Sequence, residues 1–184
     1  MKSVRAGVLL APGFEEIEAI TPIDLLHRGG VEVTLVGVSE RDVTGAHGVT
    51  VKTDALINEV AWEDYDAVIL PGGMPGSKNL AESPEVQDLL VNMHQKKRVI
   101  AAICAAPALV LAPLGILDGR NAVCFPGLEK QAPQVTFLDQ DTAVDDHVVT
   151  GRGAGKSGSF ALEILALLKG RSIADEVGTR SLYL

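Results

Sequence analysis

Cysteine is nearly absent: Cys104 and Cys124 are the only two in 184 residues. That rules out a disulfide scaffold and fits a reducing compartment. Aromatic residues are also scarce, with one Trp, two Tyr and four Phe. Ala, Val, Leu and Gly carry the apolar content, which suits a parallel sheet covered by helices better than an aromatic-rich β-sandwich. Positive charge is in deficit. The formal net charge is −8 with no basic stripe, which argues against binding nucleic acid by phosphate neutralisation. Long hydrophobic runs are missing too. The run over residues 6–11 is too short for a signal-peptide core, Glu15 and Glu16 interrupt the next segment, and no stretch is long enough to span a membrane. The expectation is a cytoplasmic protein. Without repeats, low-complexity tracts or linkers, residues 1–184 read as a single domain large enough for a sizeable core.

Apolar strand patterns alternate with helical ones. Strands are expected at 4–11, 31–38, 67–70, 99–103 and 147–150, with short candidates at 121–125 and 135–138. Residues 43–53 read as a hairpin excursion. Helices are expected at 15–27, 83–97, from Cys104 to about Gly115, at 159–168 and at 173–179. Ser83-Pro84-Glu85 supplies a cap, a proline at the first helical position and an early acid. This order predicts a doubly wound α/β sheet with helices on both faces. In such sheets the site lies beyond the carboxyl ends of the strands. Three loops with unusual chemistry leave strands there: 12–18, 71–76 and 103–107.

Cys104 closes the apolar run Val99-Ile100-Ala101-Ala102-Ile103 and is followed by Ala105-Ala106-Pro107. The pattern is strand, sharp turn, helix, with a nucleophile on the turn and small neighbours that let it close. A thiol at a helix N-terminus is expected to favour thiolate. The alternative is a buried cysteine packing as a small hydrophobe, the reading given to Cys124. Glu18 is the candidate partner acid, able to donate a hydrogen bond or shuttle a proton. For any one of Glu15, Glu16 and Glu18 the alternative is a solvated helix carboxylate. Asp24 is a candidate second buried acid in the same helix, against the same alternative of a solvated carboxylate. Pro71-Gly72-Gly73-Met74 offers free N–H groups for an oxyanion, or only a tight turn requiring positive φ.

Gly155-Lys156-Ser157 imitates a phosphate-binding loop, but Thr150 stands where that pattern requires glycine. Asp139 is the best magnesium-binding acid on offer, and too little chain remains after the loop for a nucleotide core. The four histidines, His27, His47, His94 and His147, do not adjoin Cys104 and show no metal-ligand spacing. No metal or cofactor is expected.

The motifs Ala11-Pro12-Gly13-x-Glu15-Glu16-x-Glu18, Leu70-Pro71-Gly72-Gly73, Ala101-Ala102-Ile103-Cys104-Ala105-Ala106-Pro107 and Arg152-Gly153-x-Gly155 fall in order over essentially the whole chain. In this the sequence resembles the ThiJ/PfpI superfamily, in the branch of the parkinsonism-associated deglycase and its bacterial YajL-type relatives. The resemblance implies a flavodoxin-like fold and a homodimer, with Arg28 near the dimer interface. It implies Cys104 as nucleophile and peroxide-sensitive thiol, with Glu18 as its acid. Gly73, Met74 and Ala105 would form the oxyanion pocket, Asp24 would lie beneath the site, and Phe125 and Gly153 would border it.

Phe125 stands where some relatives carry histidine, and Ala105 where protease-like relatives do. A second family cysteine corresponds here to Gly45 or Ala46. The implied function is a cofactor-independent enzyme acting on methylglyoxal, glyoxal and their early adducts with amines or thiols. A redox sensor or oxidative-stress chaperone is the non-enzymatic alternative. A peptidase or amidohydrolase is disfavoured, because no histidine follows Cys104.

Overall fold

A computed structural model describes residues 3–184. A seven-stranded sheet runs through it, built from β1 (Arg5–Leu10), β2 (Glu32–Gly37), β5 (Ala55–Leu56), β6 (Ala67–Leu70), β7 (Val99–Ile103), β10 (Thr142–Asp145) and β11 (Val148–Gly151). The spatial order is β10-β11-β7-β6-β1-β2-β5, with every pair parallel except the edge pair β10 and β11. β3 (Asp42–Thr44) and β4 (Thr50–Lys52) make the expected hairpin, and β8 (Asn121–Ala122) pairs with β9 (Thr136–Phe137).

The central strands are apolar throughout because both faces are covered. Along β1, Val8 and Leu10 point into one apolar layer with Leu25 and Leu26 of α1 (Glu16–Arg28) and Phe160, Ile164 and Leu165 of α4 (Ser157–Lys169). Leu9 points the other way, towards Val86, Leu90 and Met93 of α3 (Pro84–Gln95). Phe160 is wholly buried, and truncating such a side chain to Ala costs roughly 3–5 kcal/mol. No helix among the described residues is long and apolar enough to cross a membrane.

The doubly wound α/β class is as expected, and α3 starts as its sequence dictates. Ser83 accepts a hydrogen bond from the Val86 N–H at 3.3 Å, with Pro84 at the first helical position. The differences have physical causes. α2 (Gly76–Glu82) is not among the expected helices, and it starts on the glycine that closes the 71–76 loop. The helix after Cys104 is a π-helical turn, Pro107–Leu111, rather than a regular helix. α5 (Arg171–Arg180) begins two residues earlier than expected. Inside α1, the buried Pro22 lacks the N–H that would have bonded to the Glu18 carbonyl.

The chain runs from β1 to β2 on one side and returns to β6 on the other, so the switch point lies between β1 and β6. β1, β6 and β7 are adjacent and parallel. Their carboxyl ends, Leu10, Leu70 and Ile103, therefore deliver the three singled-out loops to one place.

Candidate active site

Cys104 sits immediately after β7 with φ +63°. A side-chain-bearing residue there costs of order 1–3 kcal/mol and persists only where surroundings impose it. Here the Cys104 N–H donates to the Gly151 carbonyl at 2.9 Å, and its own carbonyl accepts from the Phe125 N–H at 2.8 Å. This positive-φ turn is held by β11 and the segment after β8.

Glu18, on the first turn of α1, is wholly buried. The Gly72 N–H donates to its Oε2 at 2.8 Å. Its Oε1 is buried, and the carboxyl faces the Cys104 thiol. Gly72 separates the two. A Cβ at this position would come within 2.5 Å of Glu18 Oε2 and 2.6 Å of Cys104 Cβ. The glycine is what lets acid and thiol meet. Gly73 adopts φ +88°, and its N–H together with that of Ala105 points at the thiol. The Pro71–Gly73 segment is thus both a turn requiring glycine and a source of N–H donors.

Burial pushes the Cys104 thiol up to about 12, with the negative charge of Glu18 and its hydrogen bond adding to the rise. The Gly73 and Ala105 N–H groups pull the other way. Burial also pushes Glu18 up to about 7, against the Gly72 N–H and the thiol, while Glu15 adds repulsion. The pocket readily carries one negative charge and resists a second. The sequence led us to expect a thiol lowered by a helix dipole. That is corrected here: Cys104 precedes a short π-helical turn, not a long helix, and desolvation dominates. If the pair's single charge sits on sulfur, three donors face it: the Gly73 and Ala105 N–H groups and the protonated Glu18.

A hollow of about 340 Å³ opens above Cys104, walled by Met74, Ala105, Phe125, Pro126 and Leu128 with Gly73. Met74 and Phe125 stand at its rim, 55% and 48% exposed. Gly153 is not in the wall. It packs behind Phe125, whose ring would lie 3.5 Å from a Cβ added there. Asp24 is also corrected: its side chain is 56% exposed on α1, accepting from Arg28 Nε at 2.7 Å, one turn along the helix. Ile23 and Leu25 flank it, but the helix turns Asp24 outward. Arg28 is exposed on the same face and engaged by that carboxylate.

The false phosphate loop is accounted for locally. Lys156 pairs with Asp141 at 2.9 Å, Ser157 Oγ bonds to the Ala154 carbonyl at 2.8 Å, and Asp139 pairs with Arg152. Folding also brings together a trio that spacing concealed. The ligand atoms of Glu15, Glu16 and His47 lie within 4.8 Å of one another. His47 Nδ1 is 2.9 Å from Glu16 Oε2, and the His47 N–H donates to Glu16 Oε1 at 2.8 Å. These bonds fasten the residues between β3 and β4 to the start of α1.

A doubly wound α/β sheet with a thiol at a positive-φ turn, beside a buried carboxyl and backbone donors, outlines a cysteine-centred site. Residues 4–167 match the DJ-1/PfpI family, and the chain belongs to that family. It is 38% identical over 178 residues to protein dj-1beta of Drosophila melanogaster, covering 95% of each. To the glutathione-independent glyoxalase DJR-1.2 of Caenorhabditis elegans it is 34% identical, covering 92% of each. Against protein DJ-1 homolog B of Arabidopsis thaliana the identity is 34% over 96% of this chain, which spans 41% of that protein. Among solved structures, a cysteine-to-alanine mutant of the DJ-1 superfamily protein STM1931 from Salmonella typhimurium superposes with a TM-score of 0.93 at 35% identity, over the whole of both chains.

Proposed function

We propose that this protein is a cofactor-independent enzyme acting on small reactive carbonyls, methylglyoxal and glyoxal among them, and on their early adducts with amines or thiols. The observation that carries the reading is the meeting of Cys104 and Glu18 across Gly72. Cys104 sulfur adds to the aldehyde carbon as its proton passes to the aldehyde oxygen, giving a hemithioacetal whose oxygen lies near the Gly73 and Ala105 N–H groups. Glu18, poised near neutrality at about 7, takes the proton from that carbon and returns it to the neighbouring carbonyl carbon. The product is a thioester of a 2-hydroxy acid. Water cleaves it, releasing the acid and restoring the thiol, so that methylglyoxal plus water becomes lactate. The similarity to a protein named a glutathione-independent glyoxalase supports this direction. The test is intact-protein mass spectrometry during turnover. A transient adduct on wild type, absent from Cys104→Ser, is the expected result; no adduct on either would overturn the covalent route.

One observation favours a second reading, redox sensing. The donors around Cys104 suit a sulfinate as well as a reaction oxyanion, and a Toxoplasma gondii DJ-1 solved in its oxidised form superposes with a TM-score of 0.92 at 35% identity. A peptidase reading gains nothing, since no histidine among the described residues lines the hollow. We also propose a homodimer. Ile17 and Ile20 of α1 and Val49 beside them are exposed, and the Val49 N–H donates to Glu16 at 3.3 Å, making one apolar patch that a second copy would cover. The expected site of action is the cytoplasm.

A further inference from the structure

We propose that the Cys104 hollow selects uncharged electrophiles carrying an aryl or branched alkyl group, so that, on the reading of the site given above, its preferred substrates are apolar-substituted 2-oxoaldehydes rather than glyoxal or anionic oxo acids. Met74, Phe125, Pro126 and Leu128 present almost wholly apolar walls, and the polar atoms that converge are confined to the thiol and its backbone donors. None of the lining side chains among the described residues is a carboxylate, ammonium, guanidinium or imidazole. The charged groups nearby do not offset this. Glu18 lies behind the sulfur and Glu15 adds its repulsion. Glu129, Asp139 and Arg152 border a separate hollow beyond Pro126, where Asp139 already engages Arg152. A carboxylate entering the Cys104 hollow would approach the anionic thiol–carboxyl pair and meet no cation.

Size points the same way. About 340 Å³ is the space of roughly eleven water molecules at ~30 Å³ each. The five heavy atoms of methylglyoxal leave most of it wet, whereas a phenyl or branched alkyl group reaches Phe125 and Leu128. Apolar contacts of this kind discriminate by about 10- to 200-fold per group filled or left empty. Met74 and Phe125, half exposed at the rim, are the specificity-determining residues, with Leu128 also in the apolar lining.

The test measures alkylation of Cys104 with N-phenylmaleimide against N-methylmaleimide, and with iodoacetamide against iodoacetate. Each ratio is compared with that of N-acetylcysteine, after subtracting the Cys104→Ser rate to remove Cys124. The phenyl reagent should be enriched and iodoacetate depleted at least about tenfold relative to the free thiol. Both biases should shrink in Phe125→Ser and, independently, in Met74→Ser. Ratios equal to those of the free thiol would overturn the proposal. Steady-state turnover of phenylglyoxal, methylglyoxal and glyoxal runs beside it, with kcat/KM expected to fall in that order. Turnover of all three without that order overturns the substrate preference. No turnover of any, with the alkylation selectivity intact, overturns the enzymatic reading and leaves the pocket's selectivity standing.

Discussion

The carboxyl of Glu18 and the thiol of Cys104, 86 positions apart in sequence, meet across the Cβ-less face of Gly72. The Gly72 N–H holds one carboxyl oxygen at 2.8 Å, which fixes the acid where the thiol can reach it. The carboxylate strengthens the thiol's hold on its proton, while the thiol's hydrogen bond eases ionisation of the carboxyl. Under the proposed function, reactivity, stability and turnover are coupled through this one contact.

Glu18→Gln removes the charge that helps to hold the Cys104 thiol up. Alkylation of Cys104 by iodoacetamide at pH 8 should then accelerate, at about tenfold per pH unit that the thiol falls. Turnover should drop by roughly 10²–10⁴, the contribution of a proton-transfer group. A slower alkylation would mean that Glu18 acts mainly as a donor to the thiolate.

The same residue sets a pH dependence of stability. Its folded-state value lies at about 7, above the ordinary 4.5, because burial disfavours the carboxylate. The contribution is fully present below pH 4.5 and is lost as pH rises through 7. Wild type should therefore lose roughly 3 kcal/mol relative to Glu18→Gln between pH 4.5 and about pH 8. Urea unfolding of both proteins at those two pH values checks it; a constant difference would show that Glu18 is already ionised without penalty.

Gly72→Ala should separate acid from thiol. The added Cβ overlaps Glu18 Oε2, Cys104 Cβ and the Ile103 carbonyl. A displacement of about 1 Å at a reacting group costs on the order of 100-fold in rate, and overpacking costs about 1–3 kcal/mol. Turnover together with thermal unfolding reads both. Wild-type activity in this variant would show that the contact is dispensable.

Asp24→Asn should leave turnover and Tm unchanged. Asp24 is exposed and, among the described residues, paired with Arg28 along one helix, and surface pairs of this kind contribute little. A marked loss of activity would mean that Asp24 meets the site of a partner copy.

Much of this was legible in the chain, and the reasons differ by residue. The turn at Cys104 was readable because a buried strand, a cysteine and small residues coincide in nine positions. The strands were readable because a doubly covered sheet writes itself as continuous apolar runs. The side to which Asp24 points is not legible from Ile23 and Leu25, because neighbours in sequence point to different sides of a helix and the α1–α4 packing sets which side is inner. The thiol's high value was invisible because desolvation depends on what the fold piles around a group, not on its neighbours in sequence. The approach of His47 to Glu15 and Glu16 crosses some thirty residues, and no spacing rule reports it.

The central claim is that Cys104 and Glu18 act as one catalytic unit. Lactate formation from methylglyoxal without added glutathione tests it most directly, in wild type, Cys104→Ser and Glu18→Gln. Steady lactate production by wild type, abolished in both variants while they remain folded, is the predicted result. Lactate formation by wild type at the Cys104→Ser rate would contradict it.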